Sequence, residues 1–190
     1  MIGVVANLDV SVAHDVNHVA TGWDGLEDIA GVYGNLSEAL FIALCAAVIL
    51  AGVVLRRRAL QAAGLLAVLS AGLGLTIAHF VAAAVDRPRP FVGHPEQITL
   101  FAHHAADPGF PSDHATAAFA IAGALILRLG WRWWPVLLAA AVLAIVRVVL
   151  GLHYPSDVIA GAALGLASAW AVCRLAQAPV VTRRARVLRA

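Results

Sequence analysis

The sequence predicts an all-α, polytopic membrane helix bundle with about five transmembrane helices and an N-terminal interfacial helix. Three observations carry this. The 190 residues are 62% hydrophobic and only 13% charged, with a mean hydropathy of +0.86, which is too apolar for a soluble domain and too rich for one anchor. Apolar stretches long enough to span hydrocarbon recur along the chain. Charge is also segregated between the ends of those stretches. Nothing marks a second domain or a repeat, so residues 1–190 read as one membrane-embedded domain.

The segment 1–37 mixes apolar residues with Asp15, Asp24, Glu27 and Asp28 and therefore reads as an interfacial helix, not a span or a cleavable signal. Spans follow at 39–55, 62–85, 112–128, 135–152 and 157–175, all helical because lipid offers backbone groups no other partner. Between them lie Arg56-Arg57-Arg58, a long loop from Asp86 to Pro111, the turn GWRWWP at 130–135 and HYPS at 153–156. Trp131, Trp133 and Trp134 suit a headgroup boundary. Gly161 and Gly165 form a GxxxG that predicts a close helix contact, and Cys45 and Cys173 lie in apolar segments without disulfide or metal-ligand spacing.

Arginine in short loops stays cytoplasmic. Arg56, Arg57, Arg58, Arg128, Arg132 and Arg174, with Arg183, Arg184, Arg186 and Arg189 of a basic tail at 177–190, fall on one side of these spans, and all 11 acidic residues fall on the other. This predicts an outer N-terminus and a cytoplasmic tail. Arg87, Arg89 and Arg147 break the pattern at the outer ends of helices, where a positive charge needs an anion; snorkelling of Arg147 to any nearby acid is the alternative.

His114, Arg147, His153 and Asp157 converge at that outer face. If the last helix begins at or before His153, then His153 and Asp157 share a face at i and i+4. The carboxylate could then orient the ring as in a catalytic dyad. Taken alone, the spacing also fits a helix cap beside a loop histidine. The stretch GFPSDHATAAFA adds Ser112, free N–H groups at a helix N-terminus and His114, while VDRPRPFV adds the guanidinium forks of Arg87 and Arg89. These are parts for phosphoryl transfer without a metal. His79 reads as packed or pathway-lining, and His14, His18, His94, His103 and His104 as exposed, none with helical metal spacing.

In order, RPRPF, FPSDH and RVVLGLHYPSD resemble the signature of the type 2 phosphatidic acid phosphatase superfamily, K-x6-R-P, P-S-G-H and S-R-x5-H-x3-D. The wording AADPGFPSDHAT and GLHYPSDVIAG is most similar to the bacitracin-resistance type of undecaprenyl pyrophosphate phosphatase. Ala82 stands where the family has lysine, Val146 where it often has serine, and Asp113 where it has glycine. The resemblance implies hydrolysis of a polyprenyl diphosphate at the extracytoplasmic face of the plasma (inner) membrane, without metal, cofactor or nucleic-acid partner. His153 would attack phosphorus, with Asp157 orienting it. Arg89, Arg147 and Ser112 would hold the phosphate oxygens, and His114 would act as acid and then base. Arg87 could supply the missing lysine's charge from a different direction, and Asp113 would either position the fork of Arg87 or Arg89 or face water. A lipid phosphate monoesterase and a nonenzymatic lipid-binding relative are the alternatives, the latter favoured by Ala82.

Overall fold

The computed structural model describes residues 2–102 and 104–177; His103 and the tail arginines from Arg183 onward lie outside the described residues. Its helices are α1 (Ile2–Thr21), α2 (Asp24–Val54), α3 (Arg58–Val85), the single turn α4 (Pro90–Gly93), α5 (Asp113–Leu129), α6 (Trp134–Val149) and α7 (Pro155–Leu175). By length and composition, Asp28–Val54, Arg58–Gly93, Trp131–Val149 and Pro155–Leu175 can each cross a membrane. Helix α5 has 17 residues. At 1.5 Å per residue it reaches about 26 Å, a little short of a ~30 Å hydrocarbon core. It runs through the centre of the bundle, packed on α7, α3 and α6.

The acid-rich start of the chain folds differently from its expected boundaries. Residues 24–37 are the first turns of α2, which runs unbroken to Val54. Only α1 precedes it, and α1 packs on α6, α2 and α7 with Ala13 and Ala20 fully covered.

Small residues set the central packing. Along α5, Ala115, Ala118, Ala120, Ala122, Gly123 and Ala124 are buried, so neighbouring backbones approach closely. A Cβ on Gly161 would lie 2.5 Å from the Ser112 carbonyl oxygen, and one on Gly165 would collide with the carbonyl of Thr116. The GxxxG therefore brings α7 against the start of α5. Large apolar side chains instead face outward, among them Leu50, Leu65, Leu69, Ile145 and Ile159, which gives the bundle a lipid-compatible perimeter. The molecule is a multi-pass membrane protein.

Two features shape the end of the bundle where α3 and α6 finish and α5 and α7 begin. Asn17 of α1 donates from Nδ2 to the carbonyls of Thr99 (2.9 Å) and Val149 (2.8 Å) and accepts from Thr99 N–H (2.8 Å), pinning the long loop onto the end of α6. Gly151 has φ +74°, and a Cβ there would lie 2.5 Å from the Thr99 carbonyl oxygen. Only glycine suits both demands, and the turn it makes delivers residues 152–154 back across the bundle.

Candidate active site

His153 lies on that turn, outside the helix. Proline is favoured at the first helical position, and Pro155 opens α7 two residues later. Asp157 is thereby the third helical residue and accepts from the Tyr154 backbone N–H at 2.8 Å, as a capping carboxylate does. Its Oδ2 is 3.7 Å from His153 Nδ1, too far for a hydrogen bond. The group that fixes the ring is instead the Gly109 carbonyl, which accepts from Nδ1 at 2.9 Å. The expected His–Asp dyad is corrected in this respect: Asp157 caps the helix and supplies charge close by, while a loop carbonyl sets the tautomer.

With Nδ1 carrying the proton, the lone pair is on Nε2, where Arg89 Nη1 donates at 3.1 Å. The same Nη1 donates to the Leu152 carbonyl at 3.1 Å, and Nε donates to Asp107 at 3.0 Å. Burial pushes the pKa of His153 down, the Asp157 carboxylate draws it up, and the charges of Arg89 and Arg147 lower it again. The net is a ring held below the usual histidine range, hence neutral, with its Nε2 lone pair accepting from Arg89. Burial raises Asp107, but the hydrogen bond and charge of Arg89 outweigh this and keep it ionised below its ordinary range.

Arg147 is the least satisfied group among the described residues. It is 4% exposed, and its Nε and Nη2 have no hydrogen-bond partner. A buried guanidinium is costly unless something anionic answers it. No acid among the described residues does, and the side chain is buried rather than snorkelling outward.

Ser112, fully buried, caps α5, with its Oγ facing the Ala115 N–H at 3.5 Å and its carbonyl accepting from the backbone and hydroxyl of Thr116. The N–H groups of Asp113 and His114 follow in the open first turn, where a helix attracts anions. The start of α7 is the opposite case, because Ser156 N–H is already taken by Asp9 at 2.9 Å. Asp113 is exposed and forms no ion pair with an arginine among the described residues; the carboxylate that holds an arginine fork is Asp107. His114, half-buried, lies within electrostatic reach of Arg147, His153 and Arg89. With Asp113 it heads a groove of about 370 Å³ that continues over Phe41, Ile42, Leu75 and Ile121, with Glu38 of α2 on its rim.

Arg87 departs most from expectation. Its guanidinium is bound to Asp157 Oδ1 (2.7 Å), Ser156 Oγ (2.6 Å) and Asp9 Oδ2 (2.6 Å) and rests 4.1 Å from the Tyr154 ring centre. Both terminal nitrogens of Arg87 are thus engaged by protein acceptors, which places it as a bridge between Asp9 and Asp157. Asp9, Asp107, Gly109 and Glu38 were not singled out from sequence. Two prolines flank Gly109 closely enough to hint at a fixed turn, but nothing in the spacing of Asp9 or Glu38 pointed to the site. His79 is exposed.

A histidine bonded to Arg89 with the buried, unpartnered Arg147 within electrostatic reach, beside an open helix N-terminus at one end of a membrane bundle, is an arrangement suited to holding an anion. The PAP2 superfamily profile matches residues 63–180, and the chain belongs to that superfamily. An 86-residue stretch is 38% identical to undecaprenyl-diphosphatase BcrC of Bacillus subtilis, covering 45% of this chain and 44% of that protein. The putative undecaprenyl-diphosphatase YbjG of Escherichia coli is 44% identical over 81 residues, 41% of this chain and 39% of its own. Decaprenylphosphoryl-5-phosphoribose phosphatase of Mycobacterium tuberculosis is 39% identical over 99 residues, 51% and 54% of the two chains. The match thus spans about half or less of each relative's length. The fold is similar to the crystal structure of a transmembrane PAP2-type phosphatidylglycerolphosphate phosphatase from Bacillus subtilis, with a TM-score of 0.70 at 22% identity, over 95% of this chain and 90% of that one.

Proposed function

We propose that the protein is a lipid phosphatase that hydrolyses a polyprenyl diphosphate to the monophosphate through a phosphohistidine, at the outer face of the plasma membrane. The observation that carries this is the unpartnered, buried guanidinium of Arg147 beside a histidine whose Nδ1 is tied to Gly109, leaving Nε2 as the attacking atom. Substrate phosphate draws the Arg89 fork away from Nε2 and onto its oxygens. Arg147 and the first N–H groups of α5 after Ser112 complete the cradle, so charge developing in the transition state meets donors already in place. Nε2 attacks the terminal phosphorus as the bond to the bridging oxygen breaks. The imidazolium that forms keeps its Nδ1 proton on the Gly109 carbonyl, with Asp157 close by. His114 then removes a proton from water, whose oxygen displaces His153 and releases inorganic phosphate. The groove leading from His114 across Phe41, Ile42 and Leu75 suits an apolar chain lying between helices.

A second reading, hydrolysis of a prenyl-linked phosphate monoester, is favoured by the longer match to the decaprenylphosphoryl-5-phosphoribose phosphatase. Leaving-group chemistry separates the two. A prenyl phosphate leaving group has a second pKa of ~6 and needs little help, whereas an alkoxide, whose conjugate acid is about as weak as water at ~15.7, needs a proton in the first step. Rapid quench of His114→Ala should therefore give one equivalent of prenyl phosphate from the diphosphate and then stall, with no burst from the monoester. Equal bursts from both would remove His114 as the acid, and faster wild-type turnover of the monoester would favour the second reading.

A further inference from the structure

We propose that Asp9, in the N-terminal helix, is a positioning residue for the reaction: it holds Arg87 in place and shares its charge, so that Asp157 stays an effective negative neighbour of His153. Asp9 lies outside residues 63–180, the stretch matched by the superfamily profile. The inference rests on His153 being the nucleophile, as proposed above.

The contacts are specific. Asp9 is 8% exposed, and both its carboxylate oxygens are engaged: Oδ1 accepts from Ser156 N–H at 2.9 Å, and Oδ2 from Ser156 Oγ at 2.5 Å and Arg87 Nη2 at 2.6 Å. Arg87 turns its other nitrogen, Nη1, to Asp157 Oδ1 at 2.7 Å. Asp157 in turn holds the Tyr154 N–H and stands 3.7 Å from His153 Nδ1. One guanidinium thus lies between two carboxylates, and the three groups together carry a single negative charge. Without Asp9 the full positive charge of Arg87 would fall on Asp157 alone, and the pair would be neutral. The positive charge that His153 acquires on phosphorylation would lose its compensation, since the other charged groups around it, Arg89 and Arg147, are cationic, Asp107 is paired with Arg89, and His114 is a second imidazole. Asp9 also supplies negative charge at the N-terminus of α7, where it steadies the turn that carries His153.

The test is Asp9→Asn, which keeps the shape and an acceptor for Ser156 N–H, with Asp9→Ser as a second charge-removing variant should the new amide N–H groups clash with Arg87. In each, His153 should titrate at lower pH than in wild type, read by NMR of labelled histidine in detergent and by the acid limb of kcat/KM. The rate constant kcat should fall about tenfold, the scale of one charge-assisted hydrogen bond felt at the reacting atom, with KM within about twofold. Asp9→Glu, which keeps the charge, should leave the titration where wild type has it. A folded charge-removing variant whose His153 titration and kcat superimpose on wild type overturns the proposal, as does a fall in thermal stability with neither readout moved. The NMR titration needs no turnover, so an inactive wild-type protein would refute the phosphatase reading while leaving this coupling measurable.

Discussion

Replacing Arg147 with methionine should make the protein more stable and nearly inactive at once. Methionine keeps an unbranched stem of similar reach, so the packing around a side chain that is 4% exposed is disturbed little. What disappears is a charged head whose Nε and Nη2 have no partner. A buried polar group left unsatisfied costs about 1–3 kcal/mol, so relief of that cost should raise unfolding stability by about the same amount. Loss of one preorganised donor to a developing oxyanion lowers kcat by about 10²–10³, or ~2.7–4 kcal/mol of barrier. The two effects have opposite signs because a ligand-free anion site is a strained ground state. Vanadate, a phosphate mimic, should close or reverse the gap: at about 100 times its Kd it stabilises the wild type by ~2.7 kcal/mol, and the variant should gain far less. Unfolding in detergent, with and without vanadate, and phosphate release at saturating substrate measure all three quantities. A variant that is both less stable and close to wild type in rate would refute the assignment of Arg147 as an empty phosphate contact.

Other expectations follow from the same geometry. As the proposed nucleophile His153 must be neutral to attack, and its pKa is held below the ordinary histidine range, so activity should persist into mildly acidic buffer and fail as pH drops through that lowered value; Arg147→Met should move this limb of kcat/KM to higher pH. Gly165→Ala places a methyl group against the Thr116 carbonyl and should destabilise the bundle by about 1–3 kcal/mol in an unfolding titration, whereas Gly72→Ala, with open space around it, should not. Arginines supply the positive charge around the phosphate, so phosphate release should survive excess chelator; loss of activity restored by one divalent ion would contradict this.

Much of this was legible in the sequence, for identifiable reasons. The motif order and the arginine asymmetry brought His114, Arg147, His153 and Asp157 to one end of the bundle, because helices in lipid leave few ways to arrange such charges. The partnerships were harder to read. A spacing of i, i+4 implies contact only within a helix, and Pro155 starts that helix after His153, which hands the orienting role to the Gly109 carbonyl. Arg87 carried the right charge, but charge does not reveal direction, and the carboxylates of Asp9 and Asp157 hold it. Asp9 was one acid among several in an amphipathic stretch. Its buried position depends on how α1 packs, which no local pattern encodes.

The most direct test of the central claim is to trap and locate the covalent intermediate. Wild-type protein mixed with terminally radiolabelled polyprenyl diphosphate and quenched in alkali within milliseconds should carry acid-labile phosphate on His153, attached at Nε2 because Nδ1 is committed to the Gly109 carbonyl. His153→Ala should carry none and turn over no substrate. Phosphate found on Nδ1, or steady turnover by His153→Ala, would contradict the account.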